Sequence, residues 1–216
     1  MAIISLRISR GLVRCHMEEE EESCLEVLTF FLLVISAGAR TRYIGEAHVE
    51  YFRGLKNPLG IKVGPDHKLS DLCHLLNLIF KEPTRAPVVL ITRFGASSVG
   101  PCLSRLIDEI RKLNYEDKVI WMCDPMHGNT FTDSTSGLKR RSFETAWSEF
   151  ETTVRIHKEL GSELSGIHLE ATPEDVEECI EGDIVHNTGN EYASKCDPRF
   201  NRSQTTKFIR KAIQLI

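Results

Sequence analysis

The stretch Val119-Ile120-Trp121-Met122-Cys123-Asp124-Pro125-Met126-His127-Gly128-Asn129-Thr130 decides how the rest of the chain is read. A short apolar run suited to a buried strand breaks off at an acid, a proline and a histidine, the chemistry of a polar loop. Working outward, the same arrangement recurs. Leu59 to Val63, Val88 to Thr92, Ile167 to Glu170 and Tyr192 to Cys196 read as further strands. Helical periodicity fills the intervals: Leu69 to Phe80, Pro101 to Leu113, Phe143 to Leu160, Pro173 to Ile180 and Gln204 to Leu215. Helix starts carry suitable residues, such as Ser70-Asp71, or Thr172-Pro173-Glu174 with a capping Thr and a Pro at the first helical position. Alternation of this kind is the pattern of repeated βα units on a parallel sheet, an α/β fold.

Each strand ends on, or just before, a residue able to hold an ion or an anion. In order these are Lys62, Arg93, Asp124 with His127, Glu170 and Asp197. Lys62, Arg93, His127, Glu170 and Asp197 are separated by 31, 34, 43 and 27 residues, each close to one βα unit. In a parallel barrel the C-terminal strand ends share one mouth, so these residues converge there. Five units are countable, whereas a closed barrel needs eight; Arg40, Arg42 and a helix from Glu46 to Leu55 read as the end of an earlier unit.

Bulk properties narrow the function. The 216 residues are 41% apolar and 27% charged, an ordinary globular composition. With 27 basic and 31 acidic residues the net charge is -4, which gives no global field for nucleic acid, so phosphate binding has to be local. The seven cysteines lack close pairs and no secretory signal is evident, which fits a reducing, cytoplasmic setting. The longest apolar stretch, about Val27 to Ala37, falls well short of the roughly 20 residues that span a bilayer, so no membrane association is expected. Composition changes near Gly38, dividing residues 1–37, read as a loosely packed leader or a helix, from 38–216.

His127, Glu170 and Asp197 offer one imidazole and two carboxylates, a donor set suited to a divalent ion such as manganese, iron, cobalt or zinc. Singly, each has a plainer role as a loop histidine or a helix-capping acid. Three in register strengthen the metal reading. Lys62 and Arg93 either flank a bound phosphate or carboxylate or form separate surface ion pairs. Gly60 to Pro65 lacks the glycine spacing of a nucleotide cradle. Cys123 reads as a buried structural thiol, and His168 as facing away from Glu170, in packing or support.

Seven segments resemble the class II (plant-like) 3-deoxy-D-arabino-heptulosonate 7-phosphate (DAHP) synthases, in that family's order. They are Arg40-Thr41-Arg42, Ala47 to Gly54, Asn57 to Pro65, Ile91 to Gly95, Trp121 to Thr130, Gly166 to Glu170 and Cys196 to Asn201. The resemblance implies a partial TIM (β/α)8 barrel comprising about the last five βα units. It implies condensation of phosphoenolpyruvate with erythrose 4-phosphate, the first step of the shikimate pathway to chorismate and the aromatic amino acids. It makes His127, Glu170 and Asp197 metal ligands, with manganese the leading ion and cobalt, iron, zinc or cadmium as alternatives. Lys62 and His127 become catalytic, and Ala39, Arg40, Lys62 and Arg93 bind phosphoenolpyruvate. Lys139 falls near the site. A homo-oligomer or association with a full-length relative is expected, in the cytoplasm or, in a plant, the plastid. Three family features are missing from this sequence: a metal-binding cysteine, an Arg for phosphoenolpyruvate and a Lys-Pro-Arg-Ser motif for the sugar phosphate. Ala39 also stands where the family carries Glu. A catalytically inactive remnant is the competing expectation.

Overall fold

The computed structural model describes the backbone of residues 2–9, 12–15 and 35–37, and residues 58–81, 87–134, 136–182 and 197–216 with their side chains. Ala39, Arg40, Arg42, the Glu46 to Leu55 helix and the Tyr192 to Cys196 strand lie outside them.

Apolar runs build the sheet. Its strands are β1 (Ala2–Ser9), β2 (Leu12–Cys15), β3 (Ile35–Ala37), β4 (Leu59–Val63), β5 (Val88–Thr92), β6 (Val119–Cys123) and β9 (Leu164–Ala171), in the order β2-β1-β9-β6-β5-β4-β3. From β3 to β9 the neighbours are parallel, each beside the next in sequence order apart from an excursion, β7 (Thr130–Thr132) and β8 (Lys139–Ser142), between β6 and β9. This is the α/β arrangement that the alternation predicts. Val63, Thr92, Cys123 and Ile167 stand side by side, so Arg93 and Asp124 leave the sheet at one level. β9 runs further, to Ala171, and carries Glu170 up beside the loop after β6.

The helices are α1 (Leu69–Ile79), α2 (Val99–Lys112), α3 (Phe143–Leu160) and α4 (Arg202–Leu215). Their buried residues recur at helical spacing, as with Val99, Leu103, Leu106, Ile107 and Ile110 on α2. Ser142 caps α3 by accepting from the Thr145 amide at 3.2 Å, and Gly161 ends it at φ 63, a left-handed turn that glycine adopts without strain. Asn201 and Gln204 form a capping box at α4. Phe143, Trp147, Phe150, Phe200 and Phe208 pack at centroid separations of 5.3 to 5.8 Å, which fastens α4 to α3 three residues beyond Asp197. None of the described helices is long and apolar enough to cross a membrane.

Two expectations need correction. Part of residues 1–37 is strand and not helix: β1 and β2 form an antiparallel hairpin, and β1 pairs antiparallel with β9 from Ala2 opposite Ala171 to Arg7 opposite Gly166. The cause is legible in Ile4, Leu6 and Ile8 alternating with Ser5, Arg7 and Ser9, a period of two. Pro173 to Ile180 is not helical either. Its carbonyls are taken laterally, Val176 by Asn201, Glu177 by Arg140 and Cys179 by Gln204, while Cys179–Ile180 forms the short strand β10 beside β8. Thr172 still accepts from the Glu174 amide, so a sound helix start leads into no helix.

Candidate metal centre

Asp124 is the first residue beyond β6 and is wholly buried. Its amide continues the ladder to the Thr92 carbonyl at 2.7 Å. Oδ1 accepts from the amides of Met126 and His127, which folds the loop back on itself. Oδ2 lies 2.6 Å from His127 Nδ1 and 3.2 Å from Lys62 Nζ. Burial alone would raise this carboxyl, yet the His127 hydrogen bond and the charges of His168, His127 and Lys62 hold it well below the usual carboxylate range. With Asp124 held low, its Oδ2 takes the proton on Nδ1 of His127 and leaves Nε2 to face outward.

Nε2 meets two carboxylates there. Glu170 Oε1 is 3.0 Å away and Asp197 Oδ2 3.8 Å, and one donor atom from each of the three residues lies within 4.8 Å of the others. Bonds of about 2.0–2.2 Å from nitrogen and carboxylate oxygen to a divalent ion require donor separations of roughly 3–4 Å, a range that both Nε2 distances meet. The carboxylate behind the imidazole is the support that metal-ligating histidines ordinarily have. In the metal-free protein burial would lower His127, but hydrogen bonds to Asp124 and Glu170 outweigh it and raise the imidazole to about 9. Glu170 and Asp197 are both lowered despite burial, Glu170 through its hydrogen bond with His127 and Asp197 through that with Lys139.

Around this group the residues singled out from the sequence fall as follows. Lys62 reaches the site through Asp124. Arg93 donates from Nη2 to the His127 carbonyl at 3.0 Å. Lys139, on β8, pairs with Asp197. His168 does not face away from Glu170: two residues apart on one strand they share a face, and the His168 ring lies 6.2 Å from that of His127. Cys123 is buried, with its thiol donating to Thr153, as a structural thiol should be.

Three contributors escaped the sequence reading. Arg141 is fully buried, with Nη2 3.3 Å from Glu170 Oε2 and Nη1 on the Pro198 carbonyl. Nothing in Lys139-Arg140-Arg141 marks out which of the three cations is wholly buried. Asn129 and Glu149 link the loops beneath the site. Glu149 left a trace, for it falls among Ala146, Phe150 and Thr153 on the buried face of α3.

The model of the class-II DAHP synthetase family matches residues 4–211. The chain belongs to the class-II DAHP synthetase family. It is 46% identical over 172 residues to a phospho-2-dehydro-3-deoxyheptonate aldolase of Neurospora crassa, covering 77% of this chain and 35% of that protein. Similarity extends to the Streptomyces coelicolor enzyme of the same name, 35% identical over 171 residues, or 78% of this chain and 37% of the relative. With the aldolase AroG of Mycolicibacterium smegmatis the identity is 32% over 205 residues, 93% of this chain and 43% of the relative. The chain thus spans about two fifths, or less, of the length of these class-II DAHP synthetase relatives.

Proposed function

We propose that this chain supplies the metal-binding and phosphoenolpyruvate-binding part of a 3-deoxy-7-phosphoheptulonate synthase site, a transferase that joins phosphoenolpyruvate to erythrose 4-phosphate. The observation that carries this reading is the meeting of His127 Nε2 with Glu170 and Asp197 over a buried Asp124, in a chain of this family. The five parallel strands are then part of a (β/α)8 barrel, and the shared mouth explains why strand-end residues converge.

His127, Glu170 and Asp197 hold a divalent metal, manganese first among the candidates. Such an ion, when bound, supplies Lewis acidity that draws electrons from the aldehyde carbonyl of erythrose 4-phosphate. Lys62 and Arg93, with Arg40 and the Ala39 backbone, hold the phosphate and carboxylate of phosphoenolpyruvate, and their charge is matched to its charge throughout. With both substrates oriented, the methylene carbon forms a bond to the aldehyde carbon. The aldehyde oxygen takes up a proton and water adds at the electron-poor enol carbon. Its bond to the phosphate oxygen then breaks, giving DAHP and inorganic phosphate. Asp124 keeps the proton of His127 on Nδ1 throughout.

A metal-binding cysteine and a Lys-Pro-Arg-Ser motif for the sugar phosphate do not occur at matching positions in this sequence. We infer that these parts of the site come from outside these 216 residues, whether from the same polypeptide or from a longer relative, in the cytoplasm or in a plant plastid. Calorimetric titration of the purified chain with manganese tests the ligand set: one ion per chain is expected, lost in His127→Ala, and unchanged binding in that variant would refute the assignment. The same preparation with both substrates should show negligible condensation.

A further inference from the structure

We infer that Glu149, which touches neither His127 nor Arg93, is a positioning residue that holds the loop after β5, carrying Arg93, against the loop after β6, carrying His127. It projects from α3 and is 1% exposed. Oε1 accepts from the amides of Phe94 at 2.8 Å and Gly95 at 2.9 Å, the two residues that follow Arg93. Oε2 accepts from Asn129 Nδ2 at 2.6 Å. Asn129 completes the bridge, donating to the Pro125 carbonyl at 2.8 Å within its own loop and accepting from the Ala96 amide at 3.0 Å across the gap.

The loops also touch directly. A Cβ on Gly128 would sit 2.4 Å from the Gly95 nitrogen, so a glycine is required for this approach. Arg93 then reaches the His127 carbonyl at 3.0 Å. Three amide donors converge on the two oxygens of one buried carboxylate, which is an arrangement for fixing backbone rather than for filling space. An apolar side chain would match the rest of that helix face, and a glutamine would turn an N–H2 toward the N–H2 of Asn129.

The catalytic consequence rests on the proposed reading that Arg93 holds phosphoenolpyruvate; the positioning does not, and the test separates the two. Amide exchange is followed by NMR on the full chain without ligand. In Glu149→Gln the Phe94, Gly95 and Ala96 amides should exchange at least tenfold faster, while those of β4 and α2 stay within threefold of the parent. Glu149→Met, which keeps most of the volume but has no oxygen to accept, should release the same three amides at least as far, whereas a packing role would leave them protected. Unchanged exchange in either variant, or a uniform loss of protection throughout the chain, overturns the proposal. In parallel, the affinity for phosphoenolpyruvate should fall at least tenfold in Glu149→Gln. Absence of phosphoenolpyruvate binding in the parent chain would count against the functional reading alone, because the exchange result stands without it.

Discussion

His127 Nδ1 lies 2.6 Å from Asp124 Oδ2, and the same carboxylate takes the His127 amide on its other oxygen. One buried acid therefore fixes both the backbone and the ring of the proposed metal ligand. Replacing Asp124 by Asn keeps the shape but removes the charge that fixes the tautomer. Manganese affinity measured by calorimetry should fall about 10- to 100-fold, the cost typical of losing such support, with one ion still bound at saturation.

Protons and metal compete for Nε2. Hydrogen bonds donated to Asp124 and Glu170 outweigh burial and place His127 at about 9 in the metal-free protein, so at neutral pH an ion has to displace a proton. Apparent metal affinity should rise about tenfold per pH unit from about 6.5 toward 9 and then level off, with close to one proton released per ion, read from calorimetry in buffers of different ionisation enthalpy. For the metal-free fold the sign is opposite. The raised imidazole contributes stability that is complete below its unfolded value of about 6.5 and is lost as pH climbs through 9.

Gly128→Ala tests the contact between the loops. The added Cβ meets the Gly95 nitrogen at 2.4 Å and its Cα at 2.8 Å, both backbone atoms that no side-chain motion can clear. A loss of roughly 2–3 kcal/mol in urea unfolding is expected, of the order seen for overpacking a well-filled site. Gly100→Ala, where a Cβ would meet nothing within 4 Å, is the control and should change stability little.

Much of this was legible because the chain repeats one unit. Strands β4, β5 and β6 match their apolar runs residue for residue, and α3 spans Phe143 to Leu160 as its periodicity indicates. His127, Glu170 and Asp197 could be grouped because the alternation puts each near an expected strand end, and two of those strands, β6 and β9, are neighbours in the sheet. What stayed hidden depends on contacts across long separations. Pro173 to Ile180 has local helix signals, but side chains from α4 and β8 compete successfully for its carbonyls. His168 was misplaced against its own alternation, since a strand puts residues 168 and 170 on the same side. Arg141 and Glu149 are ionisable residue types, and only the partners waiting for them explain why they are inside.

Arg141 supplies the sharpest of these cases. Its guanidinium is fully buried, joining Glu170 Oε2 on β9 at 3.3 Å to the carbonyl of Pro198, the residue after Asp197. It thereby ties together the two elements that bring carboxylates to His127, and it offsets the charge of Glu170, which lies 3.0 Å from His127 Nε2. Arg141→Met preserves most of the volume but leaves Glu170 without its cation and the Pro198 carbonyl without its donor. Breaking a buried pair in this way costs about 3–5 kcal/mol, because the remaining charge stays desolvated. A bound divalent ion would replace part of the missing positive charge, so the loss should be smaller with metal present. Urea unfolding of Arg141→Met with and without saturating manganese measures the difference: a deficit of about 3 kcal/mol without metal should shrink on adding it. An equal deficit in both conditions would mean that Arg141 supports the fold and not the ligands.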